Sequence, residues 1–347
     1  MGRKLLWASF ALAPLAVLLR YAVHSGEVTL FAVSAAALLP LAWLIGEATE
    51  HAAEHTGPGI GGFLNASFGN APELIIAVFA INDGLPNVVR GSIAGSIVSN
   101  VLLVLGLALV LTEEERVDRR SLAGQLGLLG LAVLLFLVPS IPGWHGDPNR
   151  HSLAVATIPV AAVLLLFYVV YTVRGLKRHR ALHAASDVAP ATGWTLSTAL
   201  VVLAVATALT AIVSEILVHS LDAFAHSVGL SQFFVAIVIV AIVGNAAEHG
   251  GAIVIARRGK IRLASEIAVS SCAQVGLLVA PAVALLSWAV KPELTLSFRP
   301  IELATMGAAV AVVGFIVSDA KGKRWEGAVM IAAYAGAVIL YGFAGDR

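Results

Sequence analysis

Long apolar segments, each about the length that a helix needs to cross a lipid bilayer, follow one another along most of this chain. A spanning helix needs about 20 mostly apolar residues, whereas a strand of a membrane barrel needs only about 9–11. Segments of this length are therefore predicted to cross as α-helices, which satisfy their own backbone hydrogen bonds in lipid. Reading the apolar segments between charged or Pro/Gly breaks gives eleven candidate spans, at residues 5–23, 28–55, 60–82, 87–111, 121–139, 151–173, 194–220, 231–256, 261–290, 300–318 and 325–343. The sequence thus predicts an all-α, polytopic membrane protein.

Charge and cysteine content exclude several other classes of protein. Only 12% of the 347 residues are charged, whereas soluble domains contain about 25%. The lysines and arginines stand in short clusters between apolar segments and form no single basic face, so no nucleic-acid partner is predicted. The single cysteine, Cys272, excludes an internal disulfide framework and a multi-cysteine metal site. The sequence has no nucleotide-binding loop, which disfavours primary pumping by this chain alone. No cofactor is predicted.

The basic residues also predict an orientation, because cytoplasmic loops carry an excess of lysine and arginine. Most of the 22 lysines and arginines fall in every second connecting segment, at residues 3–4, 116–120, 174–180, 257–262 and 321–324. This distribution predicts a cytoplasmic N-terminus and a C-terminus on the outside. Alanine-rich spans and short tails favour a prokaryotic cell (inner) membrane.

Two segments of the chain resemble each other, which indicates an internal repeat. One reads Gly-Asn-Ala-Pro-Glu at residues 69–73, and the other reads Gly-Asn-Ala-Ala-Glu at residues 244–248. Each follows a span that is predicted to end with a buried acid, Glu50 or Glu215, and precedes a span with small and amide residues. Because five helices is an odd number, a second five-helix copy must enter the membrane from the opposite side, as in inverted-repeat transporters.

The repeat divides the chain into four parts. An extra N-terminal helix occupies residues 1–26, and the first five-helix repeat occupies residues 27–173. A basic cytoplasmic linker at residues 174–193 leads to the second, inverted repeat at residues 194–347. The predicted architecture is therefore 1 + 5 + 5 helices.

Glu73 and Glu248 occupy equivalent positions within apolar spans. A charged group near the bilayer centre costs at least about 2.5–3.5 kcal/mol, so two equivalent carboxyls indicate a function. Asn70 and Asn245 each stand three residues before the glutamate and share its helical face. Glycine weakens a helix, and a broken membrane helix exposes backbone carbonyls that can coordinate a cation.

These residues form a set of oxygen ligands of the kind that hard cations such as calcium prefer. The candidate cation ligands are Glu73, Glu248, Asn70, Asn245, Gly69 and Gly244. Two carboxyls in a dry cavity resist ionising together, so without a cation they are expected to hold protons, which the cation displaces. The two glutamates are therefore the predicted proton-coupling residues.

A second set of polar residues flanks the motifs and is predicted to form a cation path. Its members are Glu50, Glu215, Ser96, Asn100 and Gln274. The two acids lie near helix ends, where an ordinary interfacial carboxylate is the alternative interpretation. For the serine and the amides, polar packing between helices is the alternative.

The segment His51-Ala52-Ala53-Glu54-His55 matches the inverted zinc-protease motif. Two histidines four residues apart share a helical face and could hold zinc, with Glu54 activating water. An intramembrane zinc enzyme is therefore a remote alternative, and the main prediction is a transporter that is not an enzyme.

The segment at residues 61–77, Gly-Gly-Phe-Leu-Asn-Ala-Ser-Phe-Gly-Asn-Ala-Pro-Glu-Leu-Ile-Ile-Ala, resembles the first signature of the calcium/proton exchangers. Residues 244–249 resemble the partner signature in the other half. The resemblance covers nearly the whole chain and implies an eleven-helix antiporter in which the signature glutamates exchange calcium for protons. It also implies that the signature asparagines and nearby carbonyls assist.

Two features depart from that family. The linker at 174–193 is basic, whereas many members carry a strongly acidic stretch between the halves. Pro72 before Glu73 is similar to the motif of the sodium/calcium exchangers. A sodium/calcium or monovalent cation/proton exchanger therefore remains an alternative, and selectivity among calcium, manganese, sodium and potassium stays open because oxygen ligands serve them all.

Overall fold

The structure is a computed structural model that describes residues 9–112, 115–183 and 193–346. Nearly all of these residues are helical. The helices are α1 (Leu12–Val23), α2 (Glu27–Phe68), α3 (Ala71–Asn82), α4 (Pro86–Val110), α5 (Arg119–Gly143), α6 (His151–His183), α7 (Leu196–Val228), α8 (Gln232–Gly244), α9 (Ala246–Arg257), α10 (Ile261–Val290), α11 (Pro300–Ile316) and α12 (Arg324–Ala344). A short 3₁₀ turn, Val317–Asp319, follows α11, and two two-residue strands, β1 (Glu115–Arg116) and β2 (Lys321–Gly322), pair antiparallel.

Within the described ranges, eight helices are long and apolar enough to cross a membrane, or nine when α8 and α9 count as one bent span. This confirms the prediction of an all-α membrane protein. The helices α1 and α3 are apolar but shorter, at Leu12–Val23 and Ala71–Asn82. The count of eleven spans and the inverted repeat stay predictions.

One predicted boundary differs from the structure. The sequence places a break between spans 28–55 and 60–82, but the backbone stays helical from Glu27 to Phe68. The break lies instead at Gly69 and Asn70, inside the third predicted span. Glycine and proline are tolerated in membrane helices where neighbouring helices satisfy the freed backbone groups, so the Gly/Pro-rich segment at 57–59 was a misleading signal.

The two most enclosed helices are α4 and α10, which carry the polar residues that follow each motif. In their most apolar windows, 83% of α4 and 67% of α10 is buried inside the protein, against 28–50% for the other long spans. They contact each other, while α2 and α7 pack side by side at the periphery, where Phe31 stacks on Phe224 at 4.1 Å between ring centroids. Polar residues on α4 and α10 are therefore held in the protein interior.

Close helix contacts at the centre depend on glycine. A side chain at Gly95 of α4 would place its Cβ 1.8 Å from the carbonyl oxygen of Ile237 on α8. Gly106 of α4 and Gly327 of α12 face each other in the same way, with a Cβ on Gly106 lying 2.9 Å from the Gly327 carbonyl oxygen. Only glycine permits backbones to approach so closely in a membrane bundle.

Connecting segments from the two predicted halves also contact each other at both ends of the bundle. At one end β1 pairs with β2, and the Arg324 side chain donates to the Thr112 carbonyl at 2.9 Å. At the opposite end, Thr295 donates to the Pro148 carbonyl at 2.7 Å and Trp144 donates to the Phe298 carbonyl at 2.9 Å. These contacts hold the ends of the bundle together around the central helices.

Candidate cation site

Both motifs break a helix in nearly the same backbone conformation. Asn70 has φ −98° and ψ 15° between α2 and α3, and Asn245 has φ −92° and ψ 18° between α8 and α9. The helices α8 and α9 meet at an angle of 59°. Pro72 lies in the first turn of α3, where its missing N–H costs nothing. Each break places a helix N-terminus in the interior of the bundle.

The two motif glutamates lie in the first turns of these helices, Glu73 in α3 and Glu248 in α9. A helix N-terminus carries a partial positive charge that favours a carboxylate. The sequence folds this way because the Gly-Asn pair ends one helix. The glutamate stands three residues after the asparagine and therefore lies in the first turn of the following helix. The backbone thus positions the carboxyl groups.

The motif asparagines are cross-bonded to the central helices. Asn70 donates to the Gln274 side-chain oxygen on α10 at 2.7 Å. In the other motif, Asn245 accepts from the Asn100 amide on α4 at 2.8 Å and donates to the Ser96 hydroxyl at 2.7 Å. Each motif is therefore linked to the central helix that follows the other motif in sequence. The structure brings Ser96, Asn100 and Gln274 to the two motifs.

The Glu73 carboxyl is buried against the second motif. Glu73 is only 9% exposed. Its side chain packs on the second motif, because a Cβ added to Gly244 would lie 3.4 Å from the Glu73 Cγ. A small pocket at this point is lined by Glu73, Gly244 and Ser96 among apolar side chains. Glu248 is half-buried, and the two carboxyl groups are close enough to interact electrostatically. Glu73 of the first motif and Gly244 of the second motif therefore line the same pocket.

Several buried oxygens at the site accept no hydrogen bond from the described residues. They are both carboxyl oxygens of Glu73, Oε2 of Glu248 and the amide oxygen of Asn100. A buried acceptor without a donor costs about 1–3 kcal/mol. A proton on the carboxyl groups or a cation between the oxygens removes that cost, and either occupant fits the chemistry of this group of oxygens.

Glu50 and Glu215 are exposed on α2 and α7. The prediction that these acids are buried near helix ends is wrong, because α2 continues to Phe68 and α7 continues to Val228. A Cβ on Gly46 would lie 3.8 Å from the Ala247 side chain in the second motif. Because Glu50 stands four residues after Gly46, it lies one helical turn further along the same face. The path proposed for both acids stays a prediction.

The histidines of the His-x-x-Glu-His segment are engaged elsewhere. The His55 Nε2 lies 2.7 Å from the Trp194 carbonyl oxygen. Because a carbonyl oxygen only accepts hydrogen bonds, Nε2 carries the proton and donates it. The His51 ring lies 5.0 Å from the Trp194 ring, with Glu54 3.4 Å away. Across the described ranges, no group of three His, Cys, Asp or Glu residues is arranged to hold a metal. The zinc-enzyme alternative therefore has no site there.

Sequence reasoning missed two buried hydroxyl residues on α7. Thr210 and Ser214 are fully buried and have no hydrogen-bond partner in the described part of the chain. They lie four residues apart on one helical face, and α7 packs against α3. The repeat contains a signal for Ser214, because a hydroxyl residue precedes the acid in both halves, as Thr49-Glu50 and as Ser214-Glu215.

The chain is similar to known proteins along most of its length. The family described as "Sodium/calcium exchanger protein" matches residues 27–176 and again residues 198–342. The chain belongs to the sodium/calcium exchanger family. A member named "Ca(2+)/H(+) antiporter" from Aphanothece halophytica is 34% identical over 338 residues, which cover 91% of each chain.

A second relative and a solved structure are similarly close. The "Ca(2+)/H(+) antiporter ChaA" of Bacillus subtilis (strain 168) is 35% identical over 323 residues, 90% of this chain and 91% of that one. The solved structure of the Ca2+/H+ antiporter protein YfkE superposes with a TM-score of 0.83 at 32% identity, and covers 98% of this chain and 99% of that one. The fold of this exchanger chain is therefore that of a solved membrane antiporter along its whole length.

Proposed function

We propose that this exchanger-family chain is a secondary antiporter that exchanges calcium for protons across a membrane by alternating access. The observation that carries the proposal is the burial of the Glu73 carboxyl against Gly244 of the second motif, with no donor to either oxygen among the described residues. The relatives named as calcium/proton antiporters support the choice of ions and disfavour the sodium-coupled and monovalent-cation alternatives. The protein is a transporter and not an enzyme, and it needs no cofactor.

The cation is proposed to bind between the two motifs. Glu73 and Glu248 supply carboxylate oxygens, and the motif asparagines and the carbonyls of Gly69 and Gly244 complete the ligand set. Calcium takes about 6–8 oxygen ligands, so side chains of both motifs and backbone carbonyls are needed together. The side chains of Asn100 and Gln274 hold the motif asparagines in place for this task.

Proton coupling follows from the same pair of carboxyls. Two adjacent carboxylates repel each other in a poorly solvated site and are not both ionised without a counter-charge. A divalent cation supplies that counter-charge, so its arrival releases protons and its departure takes protons up. The two occupants exclude each other, which is the minimum requirement for antiport.

The architecture and orientation complete the proposal. We infer two inverted five-helix repeats at residues 27–173 and 194–347, joined by the linker at 174–193 and preceded by an extra helix. The two separate family matches, 27–176 and 198–342, support this division. The basic segments support a cytoplasmic N-terminus in a prokaryotic cell membrane.

The test is cation flux in proteoliposomes under an imposed pH gradient, with calcium added in the presence and absence of sodium. Glu73→Gln and Glu248→Gln are each expected to abolish exchange, because glutamine neither binds a proton nor supplies charge. Glu54→Gln, an exposed acid on α2, is the matched control and is expected to transport normally. Transport retained by either motif variant, or a strict requirement for sodium, contradicts the proposal.

A further inference from the structure

A long groove runs between α5 and α11 on the surface of the bundle, with a cavity volume of about 630 Å³. Most of its walls are apolar side chains and glycines, including Gly127 and Leu134 on α5 and Gly307 and Gly314 on α11. Its polar lining residues, Arg119 and Ser318, lie together at one end. The groove therefore has a polar mouth and an apolar body.

The length of the groove matches one leaflet of a bilayer. Its α5 wall runs from Arg119 to Leu134, which at 1.5 Å per residue is about 22 Å. Half of a bilayer, with its headgroup region, measures about 20–22 Å. A molecule with its polar group at Arg119 would end near the bilayer midplane.

The width of the groove suits a chain of methylenes better than a helix. Added Cβ atoms at Gly127, Gly307 and Gly314 would meet nothing within 4 Å, so these positions open onto empty space. A helix with side chains is about 10–12 Å across, far wider than a single methylene chain. An acyl chain is the occupant that fits within the groove.

The mouth of the groove is suited to an anion. The Arg119 side chain is exposed and makes no hydrogen bond or ion pair with the described residues. The adjacent Asp118 is engaged elsewhere, because its two oxygens accept from the Ser121 N–H at 3.1 Å and from Arg262 at 2.6 Å. Two other basic residues lie at the same end of the bundle: Arg262 bonds to Asp118, and Lys321 pairs with Arg116 in the β1–β2 ladder.

We propose that this groove binds one anionic phospholipid, with the phosphate at Arg119 and an acyl chain along the glycine-lined body. The observations that carry the proposal are the leaflet-length apolar groove, the empty space at its glycines and the unpaired arginine at its mouth. Because α5 and α11 come from different halves of the chain, the lipid would fill a gap between the halves. The proposal does not depend on the identity of the transported ions.

The test is native mass spectrometry of the delipidated protein in detergent with three probes. These are dioleoyl phosphatidylglycerol, dioleoyl phosphatidylcholine and glycerol 3-phosphate. The wild type is expected to retain one phosphatidylglycerol about fivefold more strongly than phosphatidylcholine, which is the preference that one basic residue confers near a membrane surface. Glycerol 3-phosphate, which has no acyl chain, is expected not to bind.

Paired variants separate the charge from the groove. Arg119→Gln is expected to abolish the preference for phosphatidylglycerol, whereas Arg120→Gln, one residue further and outside the groove, keeps it. The double variant Gly127→Leu with Gly307→Leu is expected to lose both lipids at least tenfold. Gly124→Leu, exposed on the same helix but outside the groove, is the matched control.

Four results overturn the proposal. They are equal retention of the two lipids by the wild type, retained phosphatidylglycerol in the groove-filled variant, binding of glycerol 3-phosphate at the same affinity, and a loss of oligomeric mass on filling the groove. The last result would assign the groove to a second copy of the chain. If the double variant does not fold, the single variant Gly314→Leu takes its place, and unchanged lipid retention in that folded variant is an equally adverse result.

Discussion

The contact between α4 and α8 at Gly95 allows a prediction whose size follows from the structure. Replacing Gly95 with alanine would put a Cβ 1.8 Å from the Ile237 carbonyl oxygen, and real Cβ atoms essentially never approach closer than 3.0 Å. The helices must therefore separate by about 1.2 Å at this point, the difference between those two distances. The obstructing atom is a backbone oxygen, so no change of side-chain rotamer can relieve the clash.

This displacement affects both the stability of the protein and the hydrogen bond between Ser96 and Asn245. Overpacking costs about 1–3 kcal/mol, and alanine returns about 1 kcal/mol of helix propensity over glycine. The net loss of stability is expected to be roughly 1–2 kcal/mol, because a backbone contact puts the cost at the upper end. The hydroxyl of Ser96, the next residue, accepts from Asn245 at 2.7 Å, and the same displacement lengthens that bond to about 3.9 Å, beyond hydrogen-bond reach.

The measurement is thermal unfolding in detergent together with calcium-dependent proton flux in liposomes. Gly95→Ala is expected to unfold several degrees below the wild type, at about 2–4 °C per kcal/mol, and to need more calcium for half-maximal exchange. Gly91→Ala is the matched control one turn earlier, because its Cβ would lie 3.3 Å from the Ala236 Cβ and requires a displacement of only a few tenths of an ångström. If Gly95→Ala and Gly91→Ala behaved alike, the close backbone contact would be wrong.

Three further predictions concern the site and one loop. Asn100→Ala removes the donor to the second-motif asparagine and is expected to weaken calcium binding about tenfold, which is about 1.4 kcal/mol; unchanged calcium dependence of flux would refute this. Gly244→Ala adds a methyl at ordinary contact distance from the first-motif carboxyl, so it is expected to fold normally but to show weaker calcium binding in flux titrations, and full activity would count against the site. Hydrogen bonds from Lys291 and then His151 hold the pKa of Glu293 below its ordinary value of 4.5, so their stabilisation is present above that value and is lost as pH falls through the lowered pKa. Glu293→Gln is therefore expected to flatten the acid limb of a melting-temperature profile below about pH 4.5, and an unchanged limb would exclude this loop as its source.

The sequence predicted the motif residues because their cost in lipid makes them conspicuous. A carboxyl inside an apolar segment needs a reason, and two with the same Gly-Asn spacing, Glu73 and Glu248, indicate one site. Helix breaks at both motifs were predictable from local chemistry, since Gly-Asn weakens a helix wherever it stands. The structure places a break at each Gly-Asn pair.

Other features depend on tertiary pairing and leave no local signal. Asn100 and Asn245 are 145 residues apart, and the local sequence around each asparagine does not indicate which residue it bonds to. Arg90 is 1% exposed within the bundle and donates to Asn87 and to Thr295, from a loop 205 residues away. The helical backbone across residues 57–59 was also missed, because Gly and Pro predict a boundary in water more reliably than in lipid.

The distribution of hydrogen bonds constrains how such a site can change its access. Loop contacts hold both ends of the bundle, whereas few direct side-chain bonds link the motifs to α4 and α10 at the centre. Each neutral bond of this kind contributes only about 0.5–1.5 kcal/mol net, so three of them amount to roughly 1.5–4.5 kcal/mol. Reversing a two-state population from 1:99 to 99:1 requires about 5.5 kcal/mol of differential binding. In the proposed function, two protons are exchanged for one divalent cation at Glu73 and Glu248, which leaves the net charge of the site unchanged, so the difference has to come from the change in coordination, because rearrangement of the amides alone cannot supply it. The amide bonds are therefore weak enough to break during each cycle of the proposed exchange, and we expect the occupant of the carboxyl pair to set when they do.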